Sequence, residues 1–169
     1  RSDAYGGDVT GRVRFAKEVI EAMASAIGAG RVGFRLCPGN PYNDIDDQDP
    51  AATAAALCEA VAPLGLAYLH IMRSPLADLN AFALARQHSP HALILNDGFD
   101  GPSASAALAS GEGAAVSFAR HFIANPDLVD RLKRGLALSR FDRKTLYTPG
   151  SAGYSDYPAY QANAQEVAQ

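Results

Sequence analysis

The clearest candidate for chemistry is an arginine inside a short alternating segment. Residues 31–37 read RVGFRLC, in which Val32, Phe34 and Leu36 alternate with glycine, arginine and cysteine, a period typical of a β-strand. The apolar set would face covering helices, so Arg35 points to the opposite side of the strand. A guanidinium on that side needs a carboxylate, a phosphate or an electron-rich ligand as its partner. A binding role is one hypothesis; a buried salt bridge or a position at the solvent end of the strand is the alternative.

Two later segments could bind an anion where strands end. In LILNDGF, residues 93–99, an apolar strand ends in Asn96-Asp97-Gly98, and a glycine just after a parallel strand lets backbone N–H groups approach a phosphate. Arg120 follows the apolar run AVSFA and precedes a helix expected to open at Asn-Pro-Asp. A permanent cation then lies near the positive end of a helix, and a bound anion would offset the repulsion between them. A surface salt bridge from Arg120 to Asp127 or Asp130 is the alternative.

The histidines and cysteines give weaker signals. His70 lies inside an apolar run and is interpreted as a hydrogen-bonded wall residue of the fold. Cys37 and Cys58 have no metal-type spacing and are expected to be reduced thiols. The sequence contains no spacing typical of a zinc site, a nucleophile elbow or a Walker loop, so no metal ligand is predicted.

Four strands that alternate with helices must position these residues. Apolar spacing predicts strands over 31–37, 66–72, 91–96 and 114–119, and helices over 12–28, 50–64, 77–88, 102–110 and 126–133. This order is typical of βαβ units with a parallel sheet. A closed (β/α)₈ barrel needs about 250 residues, more than this chain has. In such barrels the loops after the last two strands form the recurrent phosphate site, which suits Gly98 and Arg120 if the chain is a second half.

Composition indicates an ordinary globular protein. The 169 residues are 48% hydrophobic and 20% charged, with a net charge of −3, which argues against a nucleic-acid or anionic-membrane partner. No apolar run reaches the roughly 20 residues of a membrane helix, and no signal peptide is evident, so a cytoplasmic location is expected. The sequence opens at Arg1 with a turn-rich stretch and no methionine, from which we expect a piece of a longer polypeptide.

Several segments, in order along almost the whole chain, resemble the old yellow enzyme family of FMN-dependent ene-reductases. They are RSDAYGG, GRVRFAKEVIEA, RVGFRLCP, GLAYLH, LILNDGF, FARHFIANPDLVDRL and GYSDYP. The resemblance implies an FMN-binding (β/α)₈ TIM barrel. Residues 1–169 would form a single segment of it, the C-terminal half, with strands 5–8 and the C-terminal loop.

The resemblance also implies roles for residues of the first two candidate segments. Arg35 matches the family arginine at the N1/O2 edge of the flavin, where a fixed cation would stabilise the anionic reduced ring. Asp97, Gly98 and Phe99 match the strand-7 loop, whose backbone amides hold the FMN phosphate. Cys37 departs from the family pattern, since serine is common at that position.

Residues nearer the C-terminus take implied roles as well. Ala119 and Arg120 match the family's Gly-Arg pair after strand 8, which also binds the phosphate, and Tyr154 matches an aromatic residue that lines the substrate cavity. Ala119 replaces the usual glycine, and the position tolerates this only if its φ is negative.

The implied activity is reduction of an electron-poor alkene by NAD(P)H through FMN. The substrate would be a small α,β-unsaturated carbonyl or nitro compound. The family's substrate-binding His-x-x-His/Asn pair and its tyrosine proton donor would lie upstream of Arg1, so no catalytic residue is assigned here. The chain would act only with the N-terminal half of the barrel, on the same or a separate chain. The alternative is a non-catalytic half-barrel that binds phosphate or FMN or associates with itself; a doubly wound phosphoacceptor domain lacks its expected acidic cluster.

Overall fold

The fold contains a four-stranded parallel sheet. The computed structural model describes residues 1–161. Each strand is hydrogen-bonded to the next in the order β1-β2-β3-β4, with bounds Gly33–Leu36, Tyr68–Met72, Leu93–Asn96 and Ala115–Ser117. The register pairs Arg35 with His70 and Asn96 with Ser117. The predicted parallel α/β sheet is confirmed.

Helices alternate with these strands in sequence. Their bounds are α1 Val9–Ile27, α2 Pro50–Val61, α3 Ala81–His88, α4 Gly101–Ala109, α5 Arg120–Ala124 and α6 Leu128–Arg134. Short 3₁₀ turns occupy Ala29–Arg31, Tyr42–Asp44 and Ala62–Leu64. One helix stands before each strand, which is the arrangement of half a (β/α)₈ barrel.

Side-chain caps fix where the first four helices begin. The residue before each helix accepts a hydrogen bond from the backbone N–H three positions on, at 2.8 to 3.0 Å; these residues are Asp8, Asp49, Asn80 and Asp100. Each cap satisfies an N–H group that has no partner inside its helix, worth about 1 kcal/mol.

The core of residues 1–117 lies between helices of the same residues and one face of the sheet. Leu69, Ile71 and Leu95 are fully buried at alternate positions of β2 and β3. Phe34 and Leu36 of β1 pack against a buried apolar cluster whose members are Val13, Ile20, Val32, Leu57, Val61 and Leu66. The predicted apolar face of the first strand is therefore confirmed. No helix of residues 1–161 is long and apolar enough to cross a membrane.

Two compact units make up the chain, and the second begins at Phe118. In this unit the fully buried Asn125 donates to the carbonyl oxygens of His121 at 2.8 Å and Ser139 at 3.2 Å. Its own side-chain oxygen accepts the Ser139 N–H at 2.7 Å. These bonds attach the irregular segment after α6 to the end of α5.

Several of the predicted helix bounds differ from those observed; α1 begins three residues before the predicted start and α2 ends three residues before the predicted end. Helix α3 begins at Ala81 rather than at residue 77, because the side chain of Asn80 caps it there. The helix expected from Pro126 begins at Leu128. A separate helix, α5, precedes it and was not predicted, because five residues are too few to display a helical period.

Candidate functional site

The face of the sheet opposite the buried apolar residues of β2 and β3 carries a row of polar side chains. One comes from each strand: Arg35, His70, Asn96 and Ser117. Successive side chains of a strand point to opposite faces. This set is called the polar row below.

Hydrogen bonds join the members of the polar row. The Arg35 Nη1 lies 3.1 Å from Nδ1 and 2.8 Å from Nε2 of His70, and its Nη2 donates to the Asn96 Oδ1 at 2.8 Å. The Asn96 Nδ2 donates to the Ser117 Oγ at 2.9 Å and to the Ser117 carbonyl oxygen at 3.1 Å. The His70 Nε2 lies 2.7 Å from the Ser117 Oγ. Side chains from all four strands therefore form one network.

The network favours a neutral His70. A guanidinium can only donate hydrogen bonds, so the ring nitrogen that it contacts must carry a lone pair. Burial, and then the positive charge of Arg35, lower the pKa of His70 below its ordinary value. The interpretation of His70 as a hydrogen-bonded wall residue agrees with these contacts.

Arg35 retains its full positive charge in this network. Its contacts are with uncharged groups, and no carboxylate oxygen lies within 4.0 Å of its guanidinium in the part of the chain that the structure describes. The side chain is exposed. The buried salt bridge considered as an alternative is thus not observed, and an exposed cation is available to an electron-rich ligand.

The loop after β3 has an unusual backbone conformation. Asp97 and Gly98 both adopt positive φ angles, of 73° and 75°. The Arg73 Nε donates to the Asp97 carbonyl oxygen at 3.2 Å, and a Cβ added at Gly98 would lie 3.0 Å from the same nitrogen. The positive φ of Gly98 favours glycine at this position, and an added Cβ would displace Arg73 by a few tenths of an ångström.

The exposed Arg73 lies against a stacked pair of aromatic rings. Its guanidinium lies 4.8 Å from the ring centre of Phe82 and 5.1 Å from that of Phe99, and the two rings stack at 5.7 Å. Phe99 is only 8% exposed. The side chain of Phe99 is therefore part of the packing.

The remaining candidate residues lie in the second unit. Ala119 has φ −107°, so the negative angle that alanine requires at this position is present. The guanidinium of Arg120 lies 5.8 Å from the ring centre of Phe141. Tyr154 is 51% exposed.

The two carboxylates considered as salt-bridge partners of Arg120 have other partners within this unit. Asp127 pairs with Arg131 at 2.8 Å, and Asp130 pairs with Arg134 at 3.0 Å. Both are pairs within α6 and its cap.

Sequence reasoning missed the partners of Arg35. Asn96 and Ser117 were not assigned a role, although their positions in alternating strands place them on the same face as Arg35. The stacking of Arg73 had no signal in the sequence. Within residues 1–161, no cluster of three histidine, cysteine or acidic side chains could hold a metal ion.

Comparison with known proteins identifies the family. The family model of the NADH:flavin oxidoreductase / NADH oxidase family matches residues 1–139. The chain belongs to this family. It is 40% identical over 162 residues to a probable flavin mononucleotide-dependent alkene reductase of Leishmania infantum, across 94% of this chain and 44% of that protein. The resemblance found in the sequence segments is thereby confirmed.

Solved structures of the family superpose well on the chain. The old yellow enzyme from Trypanosoma cruzi gives a TM-score of 0.87 at 33% identity, over 95% of this chain and 44% of that one. A morphinone reductase in complex with tetrahydroNAD gives 0.85 at 38% identity, with the same two coverages. The chain thus has the fold of half a (β/α)₈ barrel and spans less than half the length of these relatives.

Proposed function

We propose that this chain is the C-terminal half of an FMN-dependent ene-reductase, which uses NAD(P)H to reduce the C=C bond of α,β-unsaturated carbonyl or nitro compounds. The observation that carries the proposal is the exposed, unneutralised guanidinium of Arg35 on the open face of the sheet. Membership of a flavin oxidoreductase family supports a flavin as its ligand.

The residues of the first unit suit an FMN. When bound, FMN supplies hydride transfer from NAD(P)H to the electron-poor alkene. Arg35 would donate to the N1/O2 edge of the flavin and stabilise its anionic reduced form, because a fixed cation acts strongly where charge develops. The guanidinium has five N–H donors, and the polar row uses two of them, so three are left for a ligand.

The FMN phosphate is proposed to bind backbone N–H groups of the loop after β3. Consecutive turn residues with unusual φ angles form concave sets of N–H groups that suit anions. Asp97, Gly98 and Phe99 would supply them, and the exposed Gly98 allows close approach.

Three residues of the second unit have proposed roles of their own. Ala119 and Arg120 would bind the phosphate, Arg120 through its charge and Ala119 through its backbone. Tyr154 would line the substrate cavity; its half-exposed ring is compatible with contact to a small molecule.

The proposed holoenzyme contains an N-terminal half-barrel, on the same or a separate chain. Residues 1–169 would contribute strands 5–8 and the C-terminal loop. The proton donor and the residues that hold the substrate oxygen would come from the N-terminal half, since no residue here is assigned to those tasks. The coverage of 44% of each relative supports this division.

Titration of FMN tests the phosphate assignment. FMN is added to the complete protein, both halves together and freed of flavin, and quenching of flavin fluorescence gives the Kd for FMN. The same titration is made with an Arg120→Ala variant and with an Arg134→Ala control, whose arginine is an exposed ion-paired residue of α6. We expect Arg120→Ala to raise the Kd about 10- to 150-fold, the effect of about 1.5–3 kcal/mol for a charge-assisted contact, and the control to leave it unchanged. An unaltered Kd in Arg120→Ala would contradict the assignment.

Alkene reduction is then measured with NADH or NADPH and an enone or a maleimide. Consumption of the reduced nicotinamide that depends on both FMN and the alkene supports the ene-reductase. Tight FMN binding with no alkene reduction in the presence of the N-terminal half would instead indicate a non-catalytic binding module.

A further inference from the structure

Arg35 is exposed, yet its guanidinium is hydrogen-bonded to side chains of two other strands. A free arginine side chain carries about 2 kcal/mol of rotamer entropy, which a ligand must overcome on binding. Here the guanidinium is anchored on one side by His70 from the adjacent strand and by Asn96 from the strand beyond it. The anchoring therefore crosses three strands and fixes the charge before a ligand arrives.

Each partner of Arg35 is uncharged, and the contacts of Asn96 determine its orientation. Its amide nitrogen donates twice to Ser117, so its oxygen must face the guanidinium. In the reverse orientation the amide N–H groups would face the N–H groups of Arg35, and the amide oxygen would face the Ser117 carbonyl oxygen. An aspartate at the same position would accept from Arg35 equally well but would neutralise its charge. The structure holds the cation in position with its charge intact.

We propose that His70, Asn96 and Ser117 are positioning residues for Arg35, which hold its unneutralised guanidinium toward the pyrimidine edge of the flavin and so raise the flavin reduction potential. Asn96 orients one arm of the guanidinium, His70 supports the other, and Ser117 joins the two partners through its contacts with the His70 Nε2 and the Asn96 Nδ2. This inference rests on the proposed function, because it takes FMN as the ligand of Arg35.

The potential of bound FMN distinguishes this role from a merely structural one. Asn96→Asp places a carboxylate where the amide oxygen now lies 2.8 Å from the Arg35 Nη2. We expect the ratio of FMN affinities, reduced over oxidised, to fall at least tenfold, which is about 30 mV more negative for a two-electron couple. Arg35→Ala should shift the potential in the same direction. In the Arg35→Ala background, Ser117→Ala should leave the potential unchanged, because the cation that it helps to position is gone.

Two further variants keep the test decisive. Asn80→Asp adds the same charge at the cap of α3, where aspartate also caps well, and should leave the potential unchanged. Ser117→Ala removes the bridging hydroxyl without adding charge and should lower the potential by a smaller amount than Asn96→Asp, even if the latter folds poorly.

The outcomes separate the two proposals. The inference is overturned, with the proposed function intact, if the holoenzyme binds FMN and Arg35→Ala shifts its potential while Asn96→Asp and Ser117→Ala do not. Failure of the unaltered holoenzyme to bind FMN would overturn the proposed function itself.

Discussion

Replacement of Arg131 by methionine tests what holds the second unit together. Arg131 lies on α6 with 4% of its side chain exposed, and its Nε donates to the Asp127 carboxylate at 2.8 Å. Its remaining nitrogens donate to the carbonyl oxygens of Ala137 and Pro158, both at 3.2 Å, and to the Ser139 Oγ at 3.1 Å. One guanidinium thus joins α6 to two later segments of the unit.

The structure sets the expected size of the effect. Methionine keeps the apolar stem and a good helix propensity but removes all four hydrogen bonds. Loss of one partner from a buried ion pair costs about 3–5 kcal/mol. The Asp127 side chain is 22% exposed and still accepts the Tyr160 N–H at 2.8 Å, so its carboxylate keeps part of its solvation. We therefore expect a loss near the lower limit, about 3 kcal/mol.

Amide hydrogen exchange of α6 is the appropriate assay, because it reports the free energy of local unfolding of this unit. Arg134→Met is the matched control. Arg134 lies on the same helix and pairs with Asp130 at 3.0 Å, also four residues before it, but the two side chains are 54% and 57% exposed. Exposed pairs contribute about 0–1 kcal/mol. If the two variants lose the same free energy of unfolding within about 0.5 kcal/mol, burial does not make the contacts of Arg131 stronger than those of Arg134, and the reasoning is refuted.

Further predictions concern the first unit. Gly98→Ala should destabilise it by about 1–2 kcal/mol, because alanine is strained at this positive φ. Gly30→Ala is the control, since Gly30 has no positive φ and nothing within 4 Å of an added Cβ. Equal losses in thermal unfolding would contradict a strained backbone at Gly98. Cys58 is fully buried, and burial raises the pKa of its thiol to about 11, so at neutral pH the half-buried Cys37 should react with iodoacetamide first. Labelling of both at the same rate, measured by mass spectrometry, would count against that burial.

Strand alternation predicted much of the fold and one residue of the site. The apolar face of β1 and the opposite orientation of Arg35 both follow from a period of two, which needs no tertiary information. Helix starts were predictable where a cap and a proline coincide, as at Asp49 and Pro50. Where the helix was short, as in α5, periodicity failed.

The partners of Arg35 could not be predicted in the same way. Asn96 is 61 residues from Arg35 in the sequence and on a strand that is not its neighbour. Their contact depends on the register of three strands, which cannot be derived from a single sequence. The position of Arg73 against the stacked rings of Phe82 and Phe99 is likewise a product of tertiary packing.

A crystal structure of the FMN-loaded holoenzyme tests the central claim most directly. We expect the flavin over the open face of the sheet, with the Arg35 guanidinium within hydrogen-bond distance, about 2.7–3.2 Å, of the N1/O2 edge, while Asn96 and His70 keep their contacts with it. A flavin bound elsewhere, or one whose pyrimidine edge lies away from Arg35, would contradict the proposed role of Arg35.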